Sequence, residues 1–119
     1  MSWDYEFSLP FPPSVNGYWR TFRNRQIISK RGREYRERVL DIMSFNELQG
    51  EKVSGNLSVT LTLNPPTLRQ YDIDNFTKAL FDALSKAEFW EDDSQVIRLF
   101  IEKGEKIKGG KVVVKVRGI

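Results

Sequence analysis

Residues 57–63, LSVTLTL, alternate apolar and polar side chains without interruption. A period of two suits a strand with one buried face and is foreign to a helix. Residues 3–9, WDYEFSL, repeat the pattern. Two half-buried strands therefore need something to cover their apolar face. The covering elements show as a change of period. Tyr35, Val39, Ile42 and Met43 follow at spacings of four, three and one, and Phe76, Ala79, Leu80, Ala83 and Leu84 make a second stripe. Both sets lie on one face of an α-helix.

The breaks between these segments set the order. PFPPS at 10–14 ends the first strand, because proline cannot donate to a ladder. Residues 15–25 read as irregular, aromatic and basic, and QII at 26–28 as a short strand. Ser29 is the expected N-cap of a helix reaching to about Asn46. VIRLFI at 96–101 and KVVVKV at 111–116 are further strands, with KGEKIKGG at 103–110 as a glycine-bearing hairpin loop between them. The order β-α-β-α-β-β predicts an α+β fold, a mixed sheet with two main helices packed on one face. A chain of 119 residues fits a single domain, 1–119.

Composition removes whole classes of chemistry. Cysteine and histidine are both absent. Disulfides, thiolate metal sites, His-ligated zinc, Ser-His-Asp triads and Cys-His pairs are excluded. Catalysis is left to carboxylates, lysine, serine, tyrosine or an oxygen-loving metal. No apolar stretch approaches the roughly 20 residues of a membrane span. No leader pattern is visible at the N-terminus, so a cytoplasmic protein without membrane contact is expected.

Two aspartates, Asp72 and Asp74, stand directly before the second helical stripe. Asp74 is the expected N-cap of that helix, a role Asp72 cannot share. If the backbone there is extended, the two carboxylates share a face and repel unless a cation lies between them. Mg²⁺ is such a cation, since it takes oxygen ligands from one or two carboxylates, water and phosphate. A second acidic group, Glu91, Asp92 and Asp93, follows the helix. It is a solvated turn unless the chain doubles back to bring it beside the first pair. Lys78, at helical spacing from Asp74 and Asn75, is either an exposed lysine or a charge placed against a phosphate.

The positive charge is concentrated. Eight of the 19 basic residues lie between Arg20 and Arg38, against only Glu34 and Glu37. Tyr18, Trp19 and Phe22 are interleaved with them. Arginine forks suit phosphates and aromatic rings stack on unpaired bases. A solvated basic helix face is the plainer alternative. A basic surface beside clustered carboxylates is the charge layout of a metal-dependent nuclease. A non-catalytic nucleic-acid-binding module using residues 18–38, or a small oligomerisation or adaptor domain, would also carry part of the pattern.

Residues 72–96, DIDNFTKALFDALSKAEFWEDDSQV, strongly resemble the D-x-D-N-x-x-K…D-A-L…DD core of the RusA family of Holliday-junction resolvases. FPPSVNGYWR at 11–20 resembles that family's PPS-x-N loop, and SKRGREYRERV at 29–39 its first helix. The resemblance implies a homodimeric endonuclease acting in DNA recombination and repair, which resolves four-way DNA junctions by paired nicks. It implies dependence on Mg²⁺ or Mn²⁺, with no small-molecule cofactor. Carried over by position, Asp72, Asp74 and Asp93 are the metal-binding catalytic aspartates, and Lys78 the essential lysine. DNA contacts are expected from Asn16, Arg20, Arg23, Arg25, Lys30, Arg31, Arg33 and Asn75. A bacterial cell is the implied setting, with phage or prophage origin common in the family. Glu88 stands where the family usually has glycine, and a left-handed backbone there would cost a non-glycine residue about 1 kcal/mol.

Overall fold

The alternating segment at 57–63 lies inside the main sheet, between two other strands. The computed structural model describes residues 2–119. It contains β1 (Tyr5–Leu9), a helical turn α1 (Val15–Tyr18), β2 (Trp19–Phe22), β3 (Arg25–Ile28) and α2 (Lys30–Phe45). Then come β4 (Leu57–Asn64), α3 (Thr77–Lys86), β5 (Val96–Lys103) and β6 (Lys111–Gly118). Short 3-10 turns at Ile73–Phe76 and Asp93–Gln95 precede α3 and β5. The fold is α+β with a mixed four-stranded sheet in the order β1-β6-β4-β5. β4 and β5 are parallel, and the other pairs are antiparallel.

Alternation decides which face is covered. Val112, Val114 and Val116 of β6 are buried, as are Val59, Leu61 and Leu63 of β4. Tyr35, Val39 and Met43 of α2 and Ala79, Leu80, Ala83 and Leu84 of α3 join them in one apolar core. Ser29 caps α2 as the sequence indicates, its Oγ accepting from the N–H of Gly32 at 3.0 Å. Gly32 is required for close approach: a Cβ there would lie 2.9 Å from Cδ1 of Tyr18 and 2.8 Å from Cγ1 of Ile28. Among the described residues, no helix is long and apolar enough to cross a membrane.

Two strand connections differ from the sequence reading. Residues 19–28 form a two-stranded hairpin, β2 with β3, where an irregular segment was expected up to Arg25. Its turn residues Arg23 and Asn24 both have positive φ, 50° and 61°, the backbone of a type I′ turn. Residues 103–110 do not close a hairpin, because β6 pairs with β1 and β4 and never with β5. The connection wraps the carboxyl end of β4 instead. Gly104 N–H donates to the carbonyl of Leu63 at 2.7 Å, and Ile107 N–H to that of Pro65 at 2.9 Å.

Candidate active site

The parallel pair β4 and β5 with the intervening α3 organises the acidic residues. Asp72 and Asp74 follow the carboxyl end of β4. Lys103, at the end of β5, donates from Nζ to the carbonyl of Tyr71 at 2.7 Å, so residues 71–72 sit at the carboxyl end of both strands. Asp93 opens the 3-10 turn that leads into β5, and so lies at the opposite end. Eight residues of β5 separate the two ends by about 23 Å at the usual strand rise. Among the described residues, no three His, Cys, Asp or Glu side chains converge closely enough to hold a metal ion.

The local geometry around Asp72 differs from the sequence expectation. Asp72 has extended backbone and occupies the cap position of the 3-10 turn, with no capping hydrogen bond from its side chain. Asp74 lies inside that turn and does not cap α3, whose cap position is Phe76. The shared face expected of two extended residues therefore does not apply. Both carboxylates are exposed. As hard oxygen donors they fit Mg²⁺, which needs only one or two protein carboxylates beside water and phosphate.

A cleft of about 590 Å³ opens beside Asp72, with Phe11, Arg31, Arg69, Tyr71 and Asn75 in its wall. It brings together the proline loop, the start of the basic helix and the D-x-D-N segment. Arg31 and Asn75 were expected to contact DNA. Arg69 was not singled out, although its place three residues before Asp72 was a usable signal. Ser14 also lines the cleft, but its Oγ caps α1 by accepting from the Gly17 N–H at 3.3 Å.

The basic residues divide by duty. Asn16, Arg20, Arg23, Arg25, Lys30, Arg31 and Arg33 are exposed. On the hairpin, Arg20 and Arg23 lie 5.5 and 5.2 Å from the ring centroid of Phe22, and that ring is itself 46% exposed. Lys30 pairs loosely with Glu34 at 3.8 Å, and Arg33 donates to the carbonyl of Ile28 at 3.1 Å. Arg36 leaves the surface set. Its Nε donates to Tyr18 Oη at 3.0 Å, and its Nη2 lies 3.9 Å from Asp82 Oδ2. Lys78 is held by Asp82, Nζ to Oδ1 at 3.2 Å, and lies 5.7 Å from the Trp19 ring centroid. Asp82 belongs to the D-A-L part of the 72–96 segment, where the sequence alone assigns it no role.

The second acidic group is a capped turn. Asp92 accepts from the Ser94 N–H at 3.0 Å, and Gln95 Oε1 accepts from the Asp92 N–H at 2.9 Å. Hydrogen bonding from Ser94, side chain first and then backbone, holds the Asp92 carboxyl below its ordinary range. Gln95 Nε2 ties the turn to the carbonyls of Val53 and Gly55, each at 2.9 Å. Asp93 is the half-buried member of the pair without a capping duty.

Upstream, Glu88 takes a left-handed φ of 55°. The Phe89 N–H donates to Leu84 and the Glu88 N–H to Ser85, at 3.1 and 3.0 Å. These two bonds make a Schellman ending of α3, so the turn closes with glutamate in glycine's place.

Residues 10–117 match the family model for endodeoxyribonuclease RusA. The chain belongs to the RusA family. It is 39% identical over 108 residues to a crossover junction endodeoxyribonuclease RusA of Shigella sonnei (strain Ss046), covering 91% of this chain and 89% of that protein. The RusA protein of Escherichia coli (strain K12) is 38% identical over the same shares. The rusA enzyme of Enterobacteria phage HK97 is 36% identical over 113 residues, covering 95% of this chain and 93% of the relative. These RusA matches span the cleft, the basic helix and both acidic turns.

Proposed function

We propose that this chain is a structure-selective endodeoxyribonuclease that resolves four-way DNA junctions by paired, metal-dependent nicks. The observation that carries the reading is the cleft beside Asp72, where Arg31, Arg69 and Asn75 offer donors to phosphate. Asp72 and Asp74 are the carboxylates that would hold Mg²⁺, with Mn²⁺ as its substitute. Such an ion supplies Lewis-acid stabilisation and an activated water when bound. The exposed arginines of the β2–β3 hairpin and of the start of α2 would grip the sugar-phosphate backbone. Lys78 would stand against charge developing on the scissile phosphate.

Two copies of the chain are part of this reading. Two symmetric cuts require two sites, and a twofold dimer supplies them. The topology adds a second reason. Asp93 lies across the length of β5 from Asp72 and Asp74, so a third carboxylate would join that pair from a second copy. A surface for the second copy is available on the edge strand β5. Ile97 and Phe100 there are 60% and 69% exposed, and the ladder slips between Leu57 and Ser58, the kind of bulge that re-aims an edge. Relatives in Escherichia coli and in phage HK97 support a bacterial cell as the setting.

The test is nicking of a synthetic four-way junction beside a linear duplex of the same sequence. Paired nicks in the junction with Mg²⁺ or Mn²⁺, none in the duplex and none with excess EDTA are expected. Junction binding without cleavage at any divalent ion would favour a DNA-binding module.

A further inference from the structure

We propose that Asp82 is a positioning residue: anchored by Tyr18 and Arg36, it holds the Lys78 ammonium in place for the nicking reaction. The inference rests on the nuclease reading for its kinetic consequence, but its structural content does not.

One carboxylate joins three parts of the chain. Asp82 Oδ1 accepts from Lys78 Nζ at 3.2 Å, and Oδ2 accepts from Tyr18 Oη at 3.0 Å. Arg36 of α2 closes the group, donating to Tyr18 Oη at 3.0 Å while its Nη2 lies 3.9 Å from Asp82 Oδ2. Tyr18 is fully buried. The side chain of Asp82 is only 17% exposed, against 46% for Lys78. The anchor is thus inside and the anchored group is at the surface.

Helix stability does not explain the pair. Lys78 is the second residue of α3, where the helix dipole disfavours a cation. A lysine four residues before its acid is also the weaker orientation of an i,i+4 pair. What the arrangement achieves is placement. A lysine stem is flexible and loses much rotamer freedom when fixed. Asp82 fixes it with one hydrogen bond, and the Trp19 ring centroid lies 5.7 Å from the ammonium. An ammonium has three donors, so two remain for a phosphate. Asp82 itself is engaged through both oxygens, and Tyr18 and Arg36 carry its hold to α1 and α2.

The decisive experiment has two arms on the full-length chain. In the first, the Nζ order parameter of each lysine is measured by NMR in the wild type without DNA. Lys78 is expected to be markedly more ordered than Lys30 and Lys86. Equal mobility would overturn the proposal, whatever the enzyme does. In the second, single-turnover junction cleavage is measured at saturating enzyme for Asp82→Asn, Asp82→Glu, Lys78→Ala and the double variant Asp82→Asn with Lys78→Ala. Asp82→Asn is expected to slow cleavage about tenfold, the scale of one lost charge-assisted hydrogen bond, with junction affinity little changed. Asp82→Glu keeps the charge and should recover part of the rate. In the Lys78→Ala background, Asp82→Asn should add nothing. An equal loss in both backgrounds would show that Asp82 acts without Lys78 and would sink the positioning role. If the wild type cuts no junction, the function reading fails, while the NMR arm still decides whether Asp82 holds Lys78.

Discussion

Lys103 is bonded to Tyr71 twice over: its Nζ donates to the carbonyl at 2.7 Å and lies 4.5 Å from the ring centroid. The contact fastens the end of β5 to the residue before Asp72. It also closes an aromatic group in which Tyr71 meets Phe11 and Phe76 edge-on, at centroid distances of 6.2 and 5.5 Å. Lys103→Met should keep the stem and lose both interactions. We expect a loss of about 1–2 kcal/mol of stability, from one charge-assisted hydrogen bond and one cation–π contact. Urea unfolding measures it, and a midpoint equal to wild type would remove the tether from the account.

Glu88 has the left-handed backbone that favours glycine, and its ion pair with Lys52 spans 3.5 Å between side chains that are each 62% exposed. Exposed pairs contribute little. Glu88→Gly should therefore stabilise the protein by about 0.5–1 kcal/mol and leave junction cleavage unchanged. A lower unfolding midpoint would contradict this.

Alkaline pH should unfold the protein through its buried tyrosines. Burial first, and then the bond to Asp82, pushes the Tyr18 hydroxyl up to about 12. Burial also raises Tyr35 well above its ordinary value, and its Oη donates to the carbonyl of Pro10 at 2.7 Å. The unfolded chain loses these protons near pH 10, whereas the folded chain keeps them. The contribution is thus complete below pH 10 and, for Tyr18, is lost as pH rises towards 12. The slope approaches about 1.4 kcal/mol per pH unit for each tyrosine. Tyr18→Phe should flatten it in urea titrations between pH 9 and 11, and an unchanged slope would count against the buried hydroxyl.

Asp72→Asn should separate chemistry from binding. Nicking is expected to fall by at least about a hundredfold, on the scale of removing one electrostatic stabiliser, while junction affinity holds or improves. Gel-shift titration beside a cleavage time course distinguishes the two. Loss of binding in a folded variant would merge the roles.

Local signals were readable in the sequence, and pairings between distant residues were not. The Ser29 cap and the strand at 57–63 depend on neighbours within a few residues. The partners of β6 do not: a glycine-bearing connection looks like a hairpin until β4 is found beside β6. The turn at Arg23 and Asn24 lacks the glycine that marks a type I′ turn. Asp74 looked like a cap because the 3-10 turn before α3 has no period of its own. The i,i+4 spacing of Lys78 and Asp82 was legible, but the buried anchor of Asp82, Tyr18, is 64 residues away, and no spacing rule reaches that far.

That Asp93 of one copy completes the Asp72–Asp74 site of a second copy is tested most directly by mixing two inactive variants, Asp72→Asn and Asp93→Asn. If Asp93 serves the Asp72–Asp74 pair of a second copy, a mixed dimer contains one intact set and one doubly altered set. Co-refolding the two variants should then restore nicking of one junction strand, to about half the wild-type rate at most in a mixed dimer. If all three aspartates act within one chain, every site in the mixture is damaged. No recovery in dimers shown to have exchanged would contradict the sharing of Asp93 between copies.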